Sequence, residues 1–291
     1  MRVTGRGLRL FLAGAALVAG GCAHYPENPR LAAVSTATGY RYSVVRPQPT
    51  ADKPFVLLAF SGGGTRAAAF SFGLMEELNR VEYAGRDGAR HRLLDDVEII
   101  SSVSGGSFTS AYYALYPDRF FDDFPGTFLY RDIQGGLVRR LFNPYNWWRL
   151  ASPNFSRIDM AEEYYNDTVF GGKTFADLVA APGKRAPFLV LNATDISIAH
   201  RFEFTQDQFD LLCSDLAGVS VARAVAASSN FPVAFAPLTL TIHKEPCGPL
   251  PEWIGLGLER ENNPKRRVAD AEAGRSYREP DRLYEIGRAH V

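Results

Sequence analysis

Two glycine-rich turns carry the residues of this 291-residue chain that are best suited to chemistry. The first is Gly-Gly-Gly-Thr-Arg at residues 62–66, and the second is Ser-Gly-Gly beginning at Ser104. Glycines allow the backbone to turn sharply and to bring N–H groups close to an anion. A serine at a tight turn between a strand and a helix can present its hydroxyl as a nucleophile. The two turns therefore predict an anion-binding loop and a candidate nucleophile.

Three functions are open to the first turn. A Walker loop is excluded because no Lys follows these glycines. Gly62, Gly64 and Ala67 match the dinucleotide fingerprint, and Glu82 lies twenty residues after Gly62. In that fingerprint the acid ends a second strand, whereas the residues around Glu82 have the pattern of a helix. The third function is an oxyanion hole.

Ser104 favours the third function. Its pattern, Ser-Val-Ser-Gly-Gly, differs from Gly-x-Ser-x-Gly by Ser102 at the first position. In the complete motif a strained turn exposes the serine hydroxyl at the carboxyl end of a strand. Alone, the pattern is equally typical of an ordinary turn of small residues. Combined with a glycine loop that ends the preceding strand, it indicates a nucleophile beside its oxyanion donors.

Short apolar runs at 54–60, 97–104 and 187–197 predict buried strands. Helices are predicted over 67–83, 106–116, 157–170 and 220–235, the last of them stopped by Pro232. Alternation of strand and helix indicates an α/β fold with a parallel sheet. In such a sheet both glycine turns lie at the same carboxyl edge.

Three further segments carry weaker signals. A short strand is predicted at 40–45 and a strand with one exposed face at 201–206. Residues 117–150 are aromatic and irregular, with interleaved arginines. Within 112–148 these side chains favour either a surface that meets lipid or ordinary core and loop packing.

The histidines do not form an obvious triad. An α/β-hydrolase has several strands before its nucleophile, whereas about two precede Ser104, and its histidine lies late in the chain. His24, His91 and His290 lie in no setting typical of a triad loop, while His200 and His243 stay open as partners of the serine.

Composition excludes some functions. Lys plus Arg and Asp plus Glu both number 32, so no global basic field indicates nucleic acid. No Cys/His spacing is typical of a zinc site. Cys213 and Cys247 either pair in a disulfide or remain two thiols.

The N-terminus has the pattern of an export signal. Arg2, Arg6 and Arg9 precede a short apolar stretch that ends Ala-Gly-Gly-Cys at Cys22. This stretch resembles a bacterial lipobox, so residues 1–22 are predicted as a lipoprotein signal peptide with Cys22 as the lipidated residue. The alternative is an ordinary secretory signal. Residues 23–53 are predicted as a tether, and Ala23 favours the outer membrane.

Four blocks resemble the patatin-like phospholipase family of the bacterial lipoprotein type: FSGGGTRAAAFSFGLMEEL, SSVSGGSFTSAYY, LVLNATDISIAHRFEFTQDQFDLLCSDL and ARAVAASSNFPVAFAPLTL. The resemblance covers residues 54–284. It implies a three-layer α/β sandwich with a central, mainly parallel sheet, and hydrolysis of lipid esters by a Ser-Asp dyad without a cofactor. By this resemblance Ser104 is the nucleophile and Gly62, Gly63 and Gly64 form the oxyanion hole. Arg66 would hold a lipid phosphate or support the loop through a salt bridge.

The Asp of the dyad is missing. The family carries it in a late Asp-Gly motif, and this sequence has no Asp-Gly after Ser104. Residues 285–291 resemble the translation of a sequencing-library adapter, so we expect a truncated gene and an incomplete, impaired domain. The alternative function is that of a non-catalytic envelope lipoprotein that binds lipid. Either protein would meet a membrane through its N-terminal anchor.

Overall fold

The computed structural model describes residues 28–46, 53–86, 88–152, 155–179, 186–230, 236–243, 247–259, 265–278 and 284–287. The predicted signal peptide, Cys22 and Pro232 lie outside these residues. Among the described residues, no helix combines the length and the apolar character that a membrane crossing requires.

A mainly parallel central sheet organises the fold. Its three longest strands pair in parallel and are β1 (Val56–Phe60), β4 (Val97–Ser102) and β5 (Phe188–Asp195). Three shorter strands continue the sheet in antiparallel pairings: β6 (His200–Glu203), β7 (Leu238–Leu240) and β8 (Tyr284–Gly287). A separate two-stranded ribbon consists of β2 (Glu82–Ala84) and β3 (Arg90–Arg92).

Helices flank the sheet and fill the connections between its strands. In the first half of the chain they are α1 (Tyr42–Val45), α2 (Gly64–Arg80), α3 (Gly105–Leu115), α4 (Phe120–Phe124), α5 (Ile133–Leu141) and α6 (Pro144–Leu150). In the second half they are α7 (Arg157–Tyr165), α8 (Phe175–Val179), α9 (Gln206–Phe209), α10 (Val221–Ser228), α11 (Glu252–Leu258) and α12 (Lys265–Ser276). The predicted α/β fold is confirmed.

The strand register places both glycine turns together. Phe60 pairs with Ser102, and Ser102 pairs with Leu191, so β1 and β4 end at one level beside β5. α3 follows β4 directly and is buried over almost its whole length, because it packs between the sheet, α2 and α10. The residue that links β4 to α3 is therefore held at the carboxyl edge from several sides.

Four sequence-based predictions differ from the structure. β1 lies at the sheet edge with Leu57 half exposed, so burial on both faces was wrong. Glu82 starts β2 rather than lying in a helix, and β2 is outside the central sheet, so a dinucleotide fold lacks its second strand. The predicted strand at 40–45 is a helical turn, and 117–150 is largely helical.

Part of the segment predicted as a tether packs on the domain. Tyr40 is buried, stacks on Phe188 at 4.8 Å between ring centroids, and accepts a hydrogen bond from Leu189 N through its hydroxyl. Burial raises the pKa of this phenol far above its ordinary value. Arg41 forms ion pairs with Asp207 in α9 and with Asp210 just after it. The segment 28–46 is therefore fastened to the start of β5 by apolar contacts and to α9 by ionic ones.

Cys213 and Cys247 form a disulfide in the structure, with their Cα atoms 5.5 Å apart. Cys213 has a positive φ of 49° and directly follows the short 3-10 turn at 210–212. The bond joins that turn to the segment after β7, and both half-cystines are buried.

Candidate active site

Ser104 occupies a strained turn between β4 and α3. Its φ of 55° and ψ of −120° lie in a region that side-chain-bearing residues rarely adopt. Val103 N donates to Phe60 O at 3.0 Å, which fixes the turn to the end of β1. The geometry is that of a nucleophile elbow, in which the strand-to-helix turn exposes the serine Oγ.

Two glycines allow the elbow and the glycine loop to touch. A Cβ on Gly105 would lie 2.0 Å from Gly64 O, and one on Gly106 would lie 2.6 Å from Phe60 Cβ. Both contacts are far too short for any larger residue. The sequence Ser-Gly-Gly is therefore required by the approach of two backbones as well as by the turn itself.

A chain of buried hydroxyls supports the elbow from below. Ser228 Oγ, at the end of α10, accepts from Ser104 N at 3.0 Å and donates to Asn192 O at 2.7 Å. Ser107 Oγ lies 2.9 Å from Ser228 Oγ. One hydroxyl thus joins the elbow, α3 and β5, and it satisfies a buried N–H that the strained turn leaves without a partner in the backbone.

Ser104 opens onto a cavity of about 540 Å³. Its walls come from the glycine loop, from α3, from α5 and from α7. Most lining side chains are apolar: Phe108, Phe128, Ile133, Leu137, Val138, Leu141 and Met160. A cavity of this size and character is typical of sites for small apolar ligands, and an acyl chain is one of these.

Ser104 Oγ has no hydrogen-bond partner among the described residues. Gly105 N–H likewise has no acceptor there, and Gly64 and Thr65 line the same cavity. α2 and α3 both begin at this point, so the positive ends of two helix dipoles converge. The arrangement can stabilise a negative oxygen beside the serine.

The three glycines of the loop differ in backbone conformation and in their position relative to the cavity. Gly63 and Gly64 have φ values of 143° and 64°, which glycine tolerates best. Of the three, only Gly64 lines the described cavity, whereas Gly62 and Gly63 shape the entry into α2.

Arg66 lies away from the described cavity lining, and its two predicted roles stay predictions. It is exposed, and within the described ranges it forms no salt bridge and does not line the cavity. Arg157, at the start of α7, is the charged residue that does line it, and it too is exposed without an ion pair there. Sequence reasoning missed Arg157 because it lies far along the chain from both glycine turns.

No Asp, Glu or His is among the described residues that line the cavity. Asp195, at the carboxyl end of β5, is fully buried and accepts from Ser197 N at 2.8 Å and from Tyr277 Oη at 2.7 Å. Asp210 accepts from Arg41, Asp215 from Ala217 N, and Asp270 lies 2.8 Å from His200 Nε2. Asp281 lies outside the described residues.

The two histidines that the sequence left open lie elsewhere. His200 pairs with Asp270, and His243 Nε2 lies 3.0 Å from Asn28 O. Neither lines the cavity at Ser104. No group of three or more potential metal ligands occurs in the described part of the chain.

Tyr165 and Ser229 both line the cavity. Burial raises the pKa of the Tyr165 phenol to about 12, and the hydrogen bond with Ser229 opposes that rise. The phenol is therefore neutral at physiological pH, so it can donate a hydrogen bond but does not act as a base.

Two supporting residues escaped the sequence analysis as site residues. Gly105 was seen only as a turn glycine, although the residue after an elbow serine supplies an N–H in this geometry. Ser228 lies in the ARAVAASSNFPVAFAPLTL block, to which the sequence analysis gave no role, and it accepts a hydrogen bond from Ser104 N at 3.0 Å.

A family model described as patatin-like phospholipase matches residues 58–247, about two thirds of the chain. The match includes both glycine turns and the block that contains Ser228. A search of curated proteins found no match.

Proposed function

This chain belongs to the patatin-like phospholipase family, and we propose that it is a serine lipid acyl hydrolase with Ser104 as the nucleophile. Membership supports a lipid substrate and lipid hydrolase activity in general. The observation that carries the assignment to Ser104 is its strained backbone, with φ of 55°, at the mouth of an apolar cavity where two helices begin.

In the proposed reaction Ser104 Oγ attacks the carbonyl carbon of a lipid ester. A general base accepts the hydroxyl proton, and the carbonyl oxygen becomes an oxyanion. Gly105 N–H and the N–H groups of the glycine loop would stabilise that oxyanion, with each donor contributing about 3 kcal/mol. Collapse of the intermediate releases the alcohol and leaves an acyl-enzyme, which water then hydrolyses.

The general base is proposed to be the Asp of a Ser-Asp dyad. The described cavity lining holds no acid, and the sequence has no Asp-Gly after Ser104. A serine hydroxyl without a base is a weak nucleophile. We therefore expect this 291-residue chain to cleave a short-chain p-nitrophenyl ester at a rate close to that of Ser104→Ala, because no acid in the described lining activates the hydroxyl. Turnover well above that of Ser104→Ala would contradict the need for an Asp-Gly segment.

Labelling by a fluorophosphonate tests the nucleophile itself. Even without a base, the oxyanion donors should favour slow reaction at Ser104 over other serines, and peptide mass spectrometry should locate the probe there. Ser104→Ala should abolish labelling, whereas Ser229→Ala, a second serine of the same cavity, should retain it. Labelling that persists in Ser104→Ala would refute the assignment.

The second candidate is a non-catalytic lipid-binding protein. It is favoured by the lack of any acid or histidine among the described residues that line the cavity. A folded sample that takes up a fluorescent fatty acid but never reacts with the fluorophosphonate would establish this function instead.

We also propose that the protein is an envelope lipoprotein anchored through Cys22 and facing an oxidising compartment. The pattern of residues 1–22 supports export, and the Cys213–Cys247 bond is typical of proteins outside the cytosol. Incorporation of labelled palmitate that is lost in Cys22→Ser would support the anchor. Incorporation that survives this substitution would contradict it.

A further inference from the structure

An unusually apolar outer surface, which we call the aromatic face, is formed by α5, α6, Tyr130 ahead of α5 and Phe142 between the two helices. It consists of six large side chains that are each at least 44% exposed: Tyr130, Val138, Phe142, Tyr145, Trp147 and Trp148. Single exposed apolar residues are common, but six within nineteen positions of one sequence segment indicate an interaction surface.

The aromatic face is continuous with the cavity at Ser104. Val138 belongs to both, because it lines the cavity and is also exposed. Leu137 and Leu141 line the cavity from the same helix, and Phe142 follows directly at its end. An apolar ligand that leaves the cavity past α5 therefore meets the aromatic face.

The surface is rigidly built. Asn146 Nδ2 donates to Arg140 O at 2.7 Å, and Trp147 Nε1 donates to Leu141 O at 2.7 Å, so α6 is fastened to the end of α5. Gly136 lets α5 approach α7 so closely that a Cβ there would lie 2.0 Å from Tyr164 Oη. These contacts join α5 to α6 and to α7, so the aromatic face is carried on a fixed backbone.

Three arginines around the face are paired and two are not. Arg139 lies 3.6 Å from Asp132, Arg140 lies 2.6 Å from Asp167, and Arg149 forms a two-pronged pair with Glu163. Arg131 and Arg157 are exposed without an ion pair among the described residues, so the face carries only a small positive charge. Tyr and Trp combine an apolar ring with a polar atom, which suits the boundary between water and lipid headgroups.

We propose that the aromatic face docks on the surface of a lipid bilayer, which places the mouth of the Ser104 cavity against the lipid. The occupant is a bilayer rather than a protein because the face leads into an apolar cavity and carries only a small positive charge. The proposal rests on the proposed function for the identity of the substrate, but its own requirement is only that the face inserts at the bilayer surface.

Vesicle binding tests docking without any turnover. The full chain would carry Cys22→Ser, so that no N-terminal lipid contributes, and Trp253→Phe, so that tryptophan emission comes from Trp147 and Trp148 alone. We expect this protein to bind phosphatidylcholine vesicles and brominated lipid to quench its emission. Because phosphatidylcholine carries no net charge, raising the salt concentration should change binding by less than about twofold.

A double variant, Phe142→Ser with Trp148→Ser, should lower the vesicle partition coefficient by at least about tenfold, since interfacial binding scales with apolar area. Phe70→Ser is the matched control, because Phe70 is 79% exposed on α2 and does not line the cavity. It should change the partition coefficient by less than about twofold. Thermal unfolding would verify that both variants remain folded.

The proposal is overturned if the parent protein ignores vesicles, or if Phe70→Ser weakens binding as much as the double variant. It is also overturned if the face is found to join two copies, so that the parent is a dimer that the double variant breaks and no vesicles bind. Failure of fluorophosphonate labelling with intact vesicle binding would remove the hydrolase and leave the docking surface.

Discussion

The cavity at Ser104 has two sides that are built on opposite principles. Its floor, formed by the elbow, the glycine loop and Ser228, consists of buried backbone contacts and short hydrogen bonds. Its outer wall, formed by α5, leads onto α6, and these two helices carry exposed aromatic rings and surface ion pairs. The position of Ser104 therefore depends on backbone packing, whereas the outer entrance of the cavity depends on surface composition. Substitutions on the two sides should therefore differ in the size of their effect and in the measurement that detects it.

The largest effect is expected at Gly105. Because an added Cβ would lie 2.0 Å from Gly64 O, Gly105→Ala must push the glycine loop away from the elbow. We expect it to lower the free energy of unfolding by about 3 kcal/mol and to abolish fluorophosphonate labelling. Urea unfolding measures the first effect. In Gly73→Ala the added Cβ meets open space within α2, so a gain of up to about 1 kcal/mol is expected. Similar losses in both variants would remove the distinction.

Ser228→Ala should have the next largest effect. It leaves Ser104 N–H and Asn192 O buried without a partner, which costs about 2 kcal/mol of folding stability. The labelling rate should fall as well, because the elbow loses its support. Ser71→Ala, a buried serine of α2 without these contacts, is the control and should be close to neutral. A neutral Ser228→Ala would show that the hydroxyl chain does not support the floor.

Arg157 should affect affinity for an anionic ligand rather than stability. A short-chain anionic phospholipid can compete with the fluorophosphonate, and Arg157→Ala should weaken that competition by about fivefold, because the cavity loses a cation that could pair with phosphate. Arg66→Ala should leave it within about twofold. The reverse order of effects would restore the sequence-based assignment to Arg66.

The smallest effect is expected for an ion pair of the outer wall. Arg140 and Asp167 are partly exposed, so their coupling energy should be below about 1 kcal/mol. A double-mutant cycle of Arg140→Ala and Asp167→Ala, followed by urea unfolding, measures it. A coupling above 2 kcal/mol would show that the wall is held as firmly as the floor.

Sequence reasoning predicted the central elements because their signals are local. The apolar runs of β1, β4 and β5 are short and bounded by breakers, and the glycine turns after β1 and β4 follow from torsion angles that glycine permits. The α/β class and the meeting of two strand ends follow from these signals together. The exposed edge position of β1 does not, because it depends on which strands exist on either side of it.

The outer wall was predicted poorly because its elements are short. Pro117, Pro125 and Pro144 each begin a new helical stretch, and no stretch is long enough to show a helical period. The turn at Tyr42 formed a helix instead of a strand because Tyr40 and Arg41 are fixed by partners far along the chain. Such long-range contacts also explain why Ser228 and Arg157 were missed.

The backbone torsion of Ser104 has one further consequence. A residue held at φ of 55° and ψ of −120° costs the fold about 1–3 kcal/mol, a cost that alanine would retain and glycine would largely remove. The two simplest ways of deleting the hydroxyl should therefore yield proteins of unequal heat resistance, with the glycine form melting later than the parent. Durability and reactivity would then be opposing demands on a single residue.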